Sequence, residues 1–328
     1  MGTNGRRDVI LAGMSTPPSR LLLAGDSSAG QVRTTNQDSF FVDLTPQGAL
    51  ALVADGMGGH VSGELASQKA RDILTQTLTR SQKHPPLALA RAVQRANLEI
   101  FDHAEAHPET RGMGTTLTLV LVDDQLALIG HVGDSRAYLI RDGSITQLTH
   151  DHSWVADRVR QGLLSEDEAK QHGWRNVITN ALGTAPSVRL ELSALVLRPG
   201  DRLLVCSDGL TLLLPDDLIL QVVANAAPGD AVAELLRRAD ERGSPDNVTA
   251  ALLVAEEVVV RPKAYTLPHE LPVTVVLGED AEALGAVEAA FPYRGRSAKL
   301  RRHPLFPYRW WLLGCVGLLA LFILFGLR

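Results

Sequence analysis

Ala49-Leu50-Ala51-Leu52-Val53-Ala54-Asp55-Gly56-Met57-Gly58-Gly59-His60 runs an unbroken apolar stretch straight into a carboxylate and a glycine-rich turn. Ala49 to Val53 has the length and composition of a strand buried on both faces, and the residues after it allow the chain to turn sharply. The same order of parts recurs downstream. Leu126 to Val132 leads into Gly133-Asp134-Ser135-Arg136, and Leu203-Leu204-Val205-Cys206 leads into Ser207-Asp208-Gly209. Thr118 to Val122, Asp123-Asp124 and Leu126 to Val132 read as a hairpin, and Val248 to Val254 as a further strand after Asp246, so the pairing is expected to be antiparallel.

Helical spacing lies between the strands, in Leu65, Ala66, Ala70, Ile73, Leu74 and Leu78 and again in Leu89, Val93, Ala96, Ile100 and Phe101. Ser165 and Glu168 have capping-box spacing behind Gly162, which predicts a short helical flap between Trp154 and Trp174. Asp230 and Gly243 punctuate another helix. Strands and helices come in groups rather than in strict alternation. The expected fold is α+β, an antiparallel β-sandwich flanked by helices on both faces, with a C-terminal transmembrane helix.

Composition narrows the function. The 328 residues are 45% hydrophobic and 21% charged, enough for a sizeable core, and the net charge of -5 supplies no basic field for a nucleic-acid backbone. Two cysteines, Cys206 in an apolar run and Cys315 near the C-terminus, make no disulfide framework. Residues 1–20 read as a flexible arm, 21–257 as the main domain, 258–309 as a proline-containing linker in which Val273 to Leu277 and Ala281 to Ala290 could form an extra strand and helix, and 310–327 as a membrane helix. Trp310 to Leu327 carries no charge and would span about 27 Å as a helix. Lys299, Arg301, Arg302 and Arg309 precede it and only Arg328 follows, which places the N-terminal domain on the cytoplasmic side of the inner membrane.

Asp38, Asp55, Asp134, Asp208 and Asp246 each lie in a small-residue context, and Asp55, Asp134 and Asp208 follow such strands directly. Any one Asp-Gly pair is more simply a turn. Five carboxylates brought together would repel one another unless cations neutralised them, and hard oxygen ligands suit Mg2+ or Mn2+. Arg33 carries a guanidinium able to clamp a phosphate through two hydrogen bonds, and His60 is a candidate proton donor.

The ordered set Arg33-Thr-Thr-Asn-Gln-Asp38, Asp55-Gly-Met-Gly-Gly-His60, Gly114-Thr-Thr116, Gly133-Asp-Ser-Arg136, Ser207-Asp-Gly209 and Asp246-Asn247 resembles the bacterial type 2C (PPM) metal-dependent serine/threonine protein phosphatases over about Leu21 to Ala255. The resemblance implies that Asp55 bridges two catalytic ions, Mn2+ or Mg2+. The Gly56 carbonyl is then a further ligand, and Asp208 and Asp246 complete the shell of the first ion. It makes Asp38 the residue that holds metal-bound water, Asp134 a ligand of a third, weaker ion and Arg33 the phosphate clamp. The implied reaction is hydrolysis of phosphoserine and phosphothreonine in proteins, counteracting a partner serine/threonine kinase. A phosphatase of a partner-switching regulator and a membrane-bound phosphoprotein-binding pseudophosphatase are the alternatives.

Overall fold

The computed structural model of the chain describes residues 7–10, 19–59, 62–259, 265–268, 270–280 and 282–292. Its strands are β1 (Arg7–Ile10), β2 (Arg20–Ser28), β3 (Asp38–Thr45), β4 (Gly48–Met57), β5 (Gly114–Thr115), β6 (Leu117–Asp123), β7 (Leu126–Val132), β8 (Arg136–Arg141), β9 (Ser144–Gln147), β10 (Val188–Val196), β11 (Arg202–Cys206), β12 (Val248–Glu257) and β13 (Val273–Leu277). Its helices are α1 (Ser62–Arg80), α2 (Pro85–Ala106), α3 (Trp154–Arg160), α4 (Glu166–Gln171), α5 (Asp208–Thr211), α6 (Asp216–Val223), α7 (Pro228–Glu241) and α8 (Glu282–Ala290).

The strands form two antiparallel sheets, ordered β1-β2-β12-β11-β8-β9 and β13-β10-β7-β6-β4-β3, with β5 paired to the end of β4. Three apolar layers explain the unbroken strands. Ala49, Ala51 and Val53 of β4 face the layer between the sheets, with Leu203 and Val205 of β11 and Ala251 and Leu253 of β12. Their neighbours Leu50, Leu52 and Ala54 face α1 and α2, while Leu204, Cys206, Ala250 and Leu252 face α6 and α7. A strand covered on both faces has no polar side to alternate with, so it reads as a continuous apolar run. The expected sandwich with helices on both faces is the fold observed. The β6–β7 hairpin is present too, with Asp124 at φ 55° in its turn.

Three boundaries differ from the sequence reading. Arg7–Ile10, inside the expected arm, pairs antiparallel with β2; a four-residue edge strand is too short to declare itself by pattern. In the expected linker the possible strand and helix are both present, as β13 paired along β10 and as α8, and what differs is that they join the domain: Tyr265, Val287 and Phe291 are buried in the same core as α2. The alternation of Val273, Val275 and Leu277 is the signal, and the surrounding prolines mask it. The third is α7, which starts at Pro228, so that Asp230 lies in its first turn rather than ahead of it. The membrane helix expected at 310–327 lies outside the described residues; among those described, no helix is long and apolar enough to cross a membrane.

Candidate metal centre

Both sheets deliver carboxylates to one end of the sandwich. Asp38 opens β3 and lies directly opposite Asp55 at the end of β4. Asp134 follows β7, Asp208 follows β11 and starts α5, and Asp246 precedes β12. Rigid strands therefore set the positions, and the turns after them let side chains from distant parts of the sequence meet.

The electrostatics show how close they come. Burial, and then the charges of Asp38, Asp208, Asp134 and Asp246, hold the Asp55 carboxyl well above the ordinary carboxylate range. Asp208 is raised by burial and by Asp246, against a hydrogen bond that it shares with the Asp55 carboxyl. Burial followed by the charges of Asp208 and Asp151 raises Asp134. Asp38 is pushed up to about 7, chiefly by burial, although hydrogen bonds from Thr249 and Ser207 pull the other way. Without cations this end of the molecule retains protons that exposed carboxyls would release near neutrality.

Hydrogen bonding around these residues is directional. Oδ2 of Asp38 accepts from Ser207 Oγ at 2.8 Å and Thr249 Oγ1 at 2.6 Å, yet its buried Oδ1 has no partner, and neither has the buried Oδ1 of Asp134. Orphaned buried carboxylate oxygens are rare and costly in a folded protein. Buried neighbouring carboxyls that raise one another's proton affinity and two such orphans together make a donor set that fits hard divalent cations. Among the described residues no three His, Cys, Asp or Glu side chains are already gathered in ligating geometry. Mg2+-like ions characteristically take one or two carboxylates and keep several waters, so the set meets their requirement.

The backbone beneath the carboxylates is fixed from several directions. The Asp55 amide donates to Thr116 Oγ1 at 2.9 Å, and the Asp55 carbonyl accepts from Thr115 Oγ1 at 2.9 Å and from the Thr116 amide at 2.8 Å. Thr116 Oγ1 lies 2.8 Å from Ser135 Oγ, tying this turn to the Asp134 turn. Thr115 and Thr116 of the Gly114-Thr-Thr116 motif thus act as a clamp on the Asp55 backbone. A Cβ at Gly56 would lie 2.0 Å from the Gly63 carbonyl oxygen, and one at Gly209 2.0 Å from that of Asn247. Only glycine lets the metal-site turns approach so closely.

Arg33 reaches the rim, where its Nη2 lies 2.8 Å from Asp246 Oδ2 in a pair with both side chains roughly half exposed. The loop carrying Arg33 is pinned by Asn247. Its Nδ2 donates to the carbonyls of Ala29 and Thr35 at 3.0 Å each, and its Oδ1 accepts from the Gln37 amide at 2.8 Å. Arg136, by contrast, is locked onto Asp151 through Nε and Nη2. His60 lies outside the described residues. Sequence reasoning missed Ser207, Thr249 and Thr116 as holders of the acidic residues. A threonine at 249, fully buried inside an apolar strand, was the available signal, because a buried hydroxyl needs a partner.

Comparison with known proteins agrees with this geometry. The family model described as "Protein phosphatase 2C" matches residues 26–253. The serine/threonine protein phosphatase PstP of Mycobacterium tuberculosis is 38% identical over 234 residues, covering 71% of this chain, while the chain spans only 44% of that protein's length. A putative 2C-type protein phosphatase of Streptococcus pyogenes is 36% identical over 68% of this chain and 93% of its own length. A catalytic domain of PstP solved in complex with two manganese ions superposes with a TM-score of 0.65 at 36% identity, over 73% of this chain and 99% of that one. With its motifs on the ends of two antiparallel sheets and its family match spanning most of the described residues, the chain belongs to the protein phosphatase 2C family.

Proposed function

We propose that the chain is a metal-dependent phosphatase that hydrolyses phosphoserine and phosphothreonine in proteins, opposing a serine/threonine kinase. The carrying observation is the convergence of five carboxylates from both sheets, with raised proton affinity at Asp38, Asp55, Asp134 and Asp208 and with buried oxygens of Asp38 and Asp134 left unpartnered. Asp55, the Gly56 carbonyl, Asp208 and Asp246 would hold two Mn2+ or Mg2+ ions, and Asp134 a third, weaker one. When bound, such ions supply positive charge against the phosphoryl oxygens and lower the pKa of water toward neutrality. Asp38, fixed through Oδ2 by Ser207 and Thr249, would hold water with its unpartnered Oδ1. Arg33 stands where a guanidinium can pair with phosphoryl oxygens, its exposed contact with Asp246 being weak enough to exchange. His60 is the proposed proton donor to the departing alkoxide. Cysteine chemistry has no support, because burial pushes the Cys206 thiol up to about 12.

Hydrolysis of p-nitrophenyl phosphate by the purified chain should vanish in chelator and return with Mn2+ or Mg2+. Undiminished activity in metal-free protein would overturn the reading. The charge-free run from Trp310 to Leu327 and the basic residues before it support a single-pass anchor with the phosphatase domain in the cytoplasm. After ultracentrifugation of a lysate the chain should sediment with membranes, and recovery in the supernatant would count against the anchor.

A further inference from the structure

Two of the candidate acidic residues are aimed in different ways. Asp38 is held through its own carboxylate by the hydroxyls of Ser207 and Thr249. The buried Oδ1 of Asp134 is unpartnered, so the direction of this side chain rests more heavily on the backbone that carries it. That backbone begins at Gly133, whose φ of 107° disfavours other residues and where a Cβ would lie 2.6 Å from the Thr116 side chain. A residue so free in conformation holds its neighbour in place only if it is itself held.

His152 supplies the hold. The Gly133 amide donates to Nδ1 of His152 at 3.0 Å, and the His152 amide donates back to the Gly133 carbonyl at 2.7 Å. Nδ1 receives a second donor, Nδ2 of Asn180 at 3.0 Å. It is therefore the bare ring nitrogen, and the proton lies on Nε2, which faces Glu191 Oε1 at 3.3 Å. Each partner is fixed in turn. Asn180 donates through Nδ2 to the Arg189 carbonyl of β10 at 2.8 Å and accepts the Arg189 amide at 3.0 Å, and Glu191 lies two residues further along the same strand. The His131 ring packs on His152 with centroids 4.7 Å apart. His152 also stands at the root of the flap, where its carbonyl accepts from the Thr179 amide at 2.8 Å.

Core packing explains why this imidazole is buried, with its side chain only 4% exposed. It does not explain why the accepting nitrogen is directed at the one residue before Asp134 while a carboxylate faces the other nitrogen, an arrangement by which outer partners orient metal ligands. We propose that His152, with its tautomer set by Glu191, is a positioning residue that fixes the Asp134 turn and so the place where the Asp134 carboxylate meets a cation. This role rests on Asp134 belonging to the cation site described above.

A cycle of substitutions in the full chain tests it, read by Mn2+ titration of p-nitrophenyl phosphate hydrolysis and by the rise in Tm that Mn2+ produces. His152→Ala should raise the half-saturating Mn2+ concentration by about tenfold, as loss of an outer partner does, with KM for the substrate little changed. Asp134→Asn should raise it at least as far. In the Asp134→Asn background His152→Ala should add less than about twofold, because the group it positions is already lost. His152→Asn, whose Oδ1 can accept the Gly133 amide in place of Nδ1, should recover most of the loss, and Glu191→Ala should fall between. If His152→Ala does not fold, Glu191→Ala completes the same cycle. A wild-type Mn2+ response in His152→Ala, losses that multiply in the double variant, or no recovery in His152→Asn overturns the positioning role; multiplying losses are the mark of a merely structural residue. A wild-type Mn2+ response in Asp134→Asn overturns the place of Asp134 in the site and the role of His152 with it. A wild type that hydrolyses nothing overturns the phosphatase reading alone, and the Tm shifts still decide the cycle.

Discussion

The carboxylate floor and the flap above it are built on opposite principles. The floor draws Asp38, Asp55, Asp134, Asp208 and Asp246 from five separated turns, and its backbone is tied by Thr115, Thr116 and Asn247. The flap consists of two helices of 7 and 6 residues, the second burying none of its residues and kept in place by the reciprocal Ser165–Glu168 capping box. One region is over-determined and the other sparsely supported. Reaction chemistry demands fixed oxygen positions, whereas the choice of partner can be changed at an exposed rim without disturbing them.

Substitutions in the floor test that contrast with the largest effects. Asp55→Asn or Asp208→Asn should lower turnover by at least about a hundredfold to a thousandfold, because each removes a candidate ligand from the charge clamp. Circular dichroism should show both variants folded. Near-normal turnover would break the distinction between floor and rim. Thr116→Ala leaves every carboxylate in place but frees the Asp55 backbone, and metal titration of activity should show affinity or turnover reduced by about ten- to a hundredfold, the usual range for residues that orient ligands. Arg33→Ala stands at the boundary of the two regions. A rise of about tenfold in KM for phosphate substrates is expected, with little change in metal affinity or Tm, because an ion pair half open to solvent contributes little stability.

The sequence made the local halves of this account legible. An apolar run ending in Asp and Gly is a contiguous signal, so β4, β7 and β11 and their terminal carboxylates could be read directly. Ser165 with Glu168 likewise announced the start of α4. What joins the runs was not legible in the same way. The hydroxyl of Thr249 and the carboxylate of Asp38 lie 211 positions apart, and nothing in either neighbourhood specifies the other. Arg33 was expected to face phosphate, and its contact with Asp246 depends on how Asn247 pulls the 29–37 loop inward. At the C-terminal end, Tyr265 and Phe291 become core residues only once β13 has docked on β10, a tertiary event that prolines in the flanking sequence disguise.

The central claim is that the floor is a cation site in which Asp38, Asp55, Asp134 and Asp208 bind protons more readily than exposed carboxyls when no cation is bound. Asp38 has a folded pKa of about 7 and an unfolded value near 3.9, and Asp55, Asp134 and Asp208 are raised in the same direction. Between those values the folded chain binds more protons than the unfolded one, so the stability of the metal-free protein declines as pH rises through this window. Thermal unfolding from pH 5 to pH 8, with and without Mn2+, reads this directly. Metal-free Tm should fall as pH rises, and Mn2+ should raise Tm most at pH 8, where it replaces the protons, and flatten the slope. A Tm at pH 8 that Mn2+ leaves unchanged, or a metal-free Tm that climbs across the window, would contradict the account.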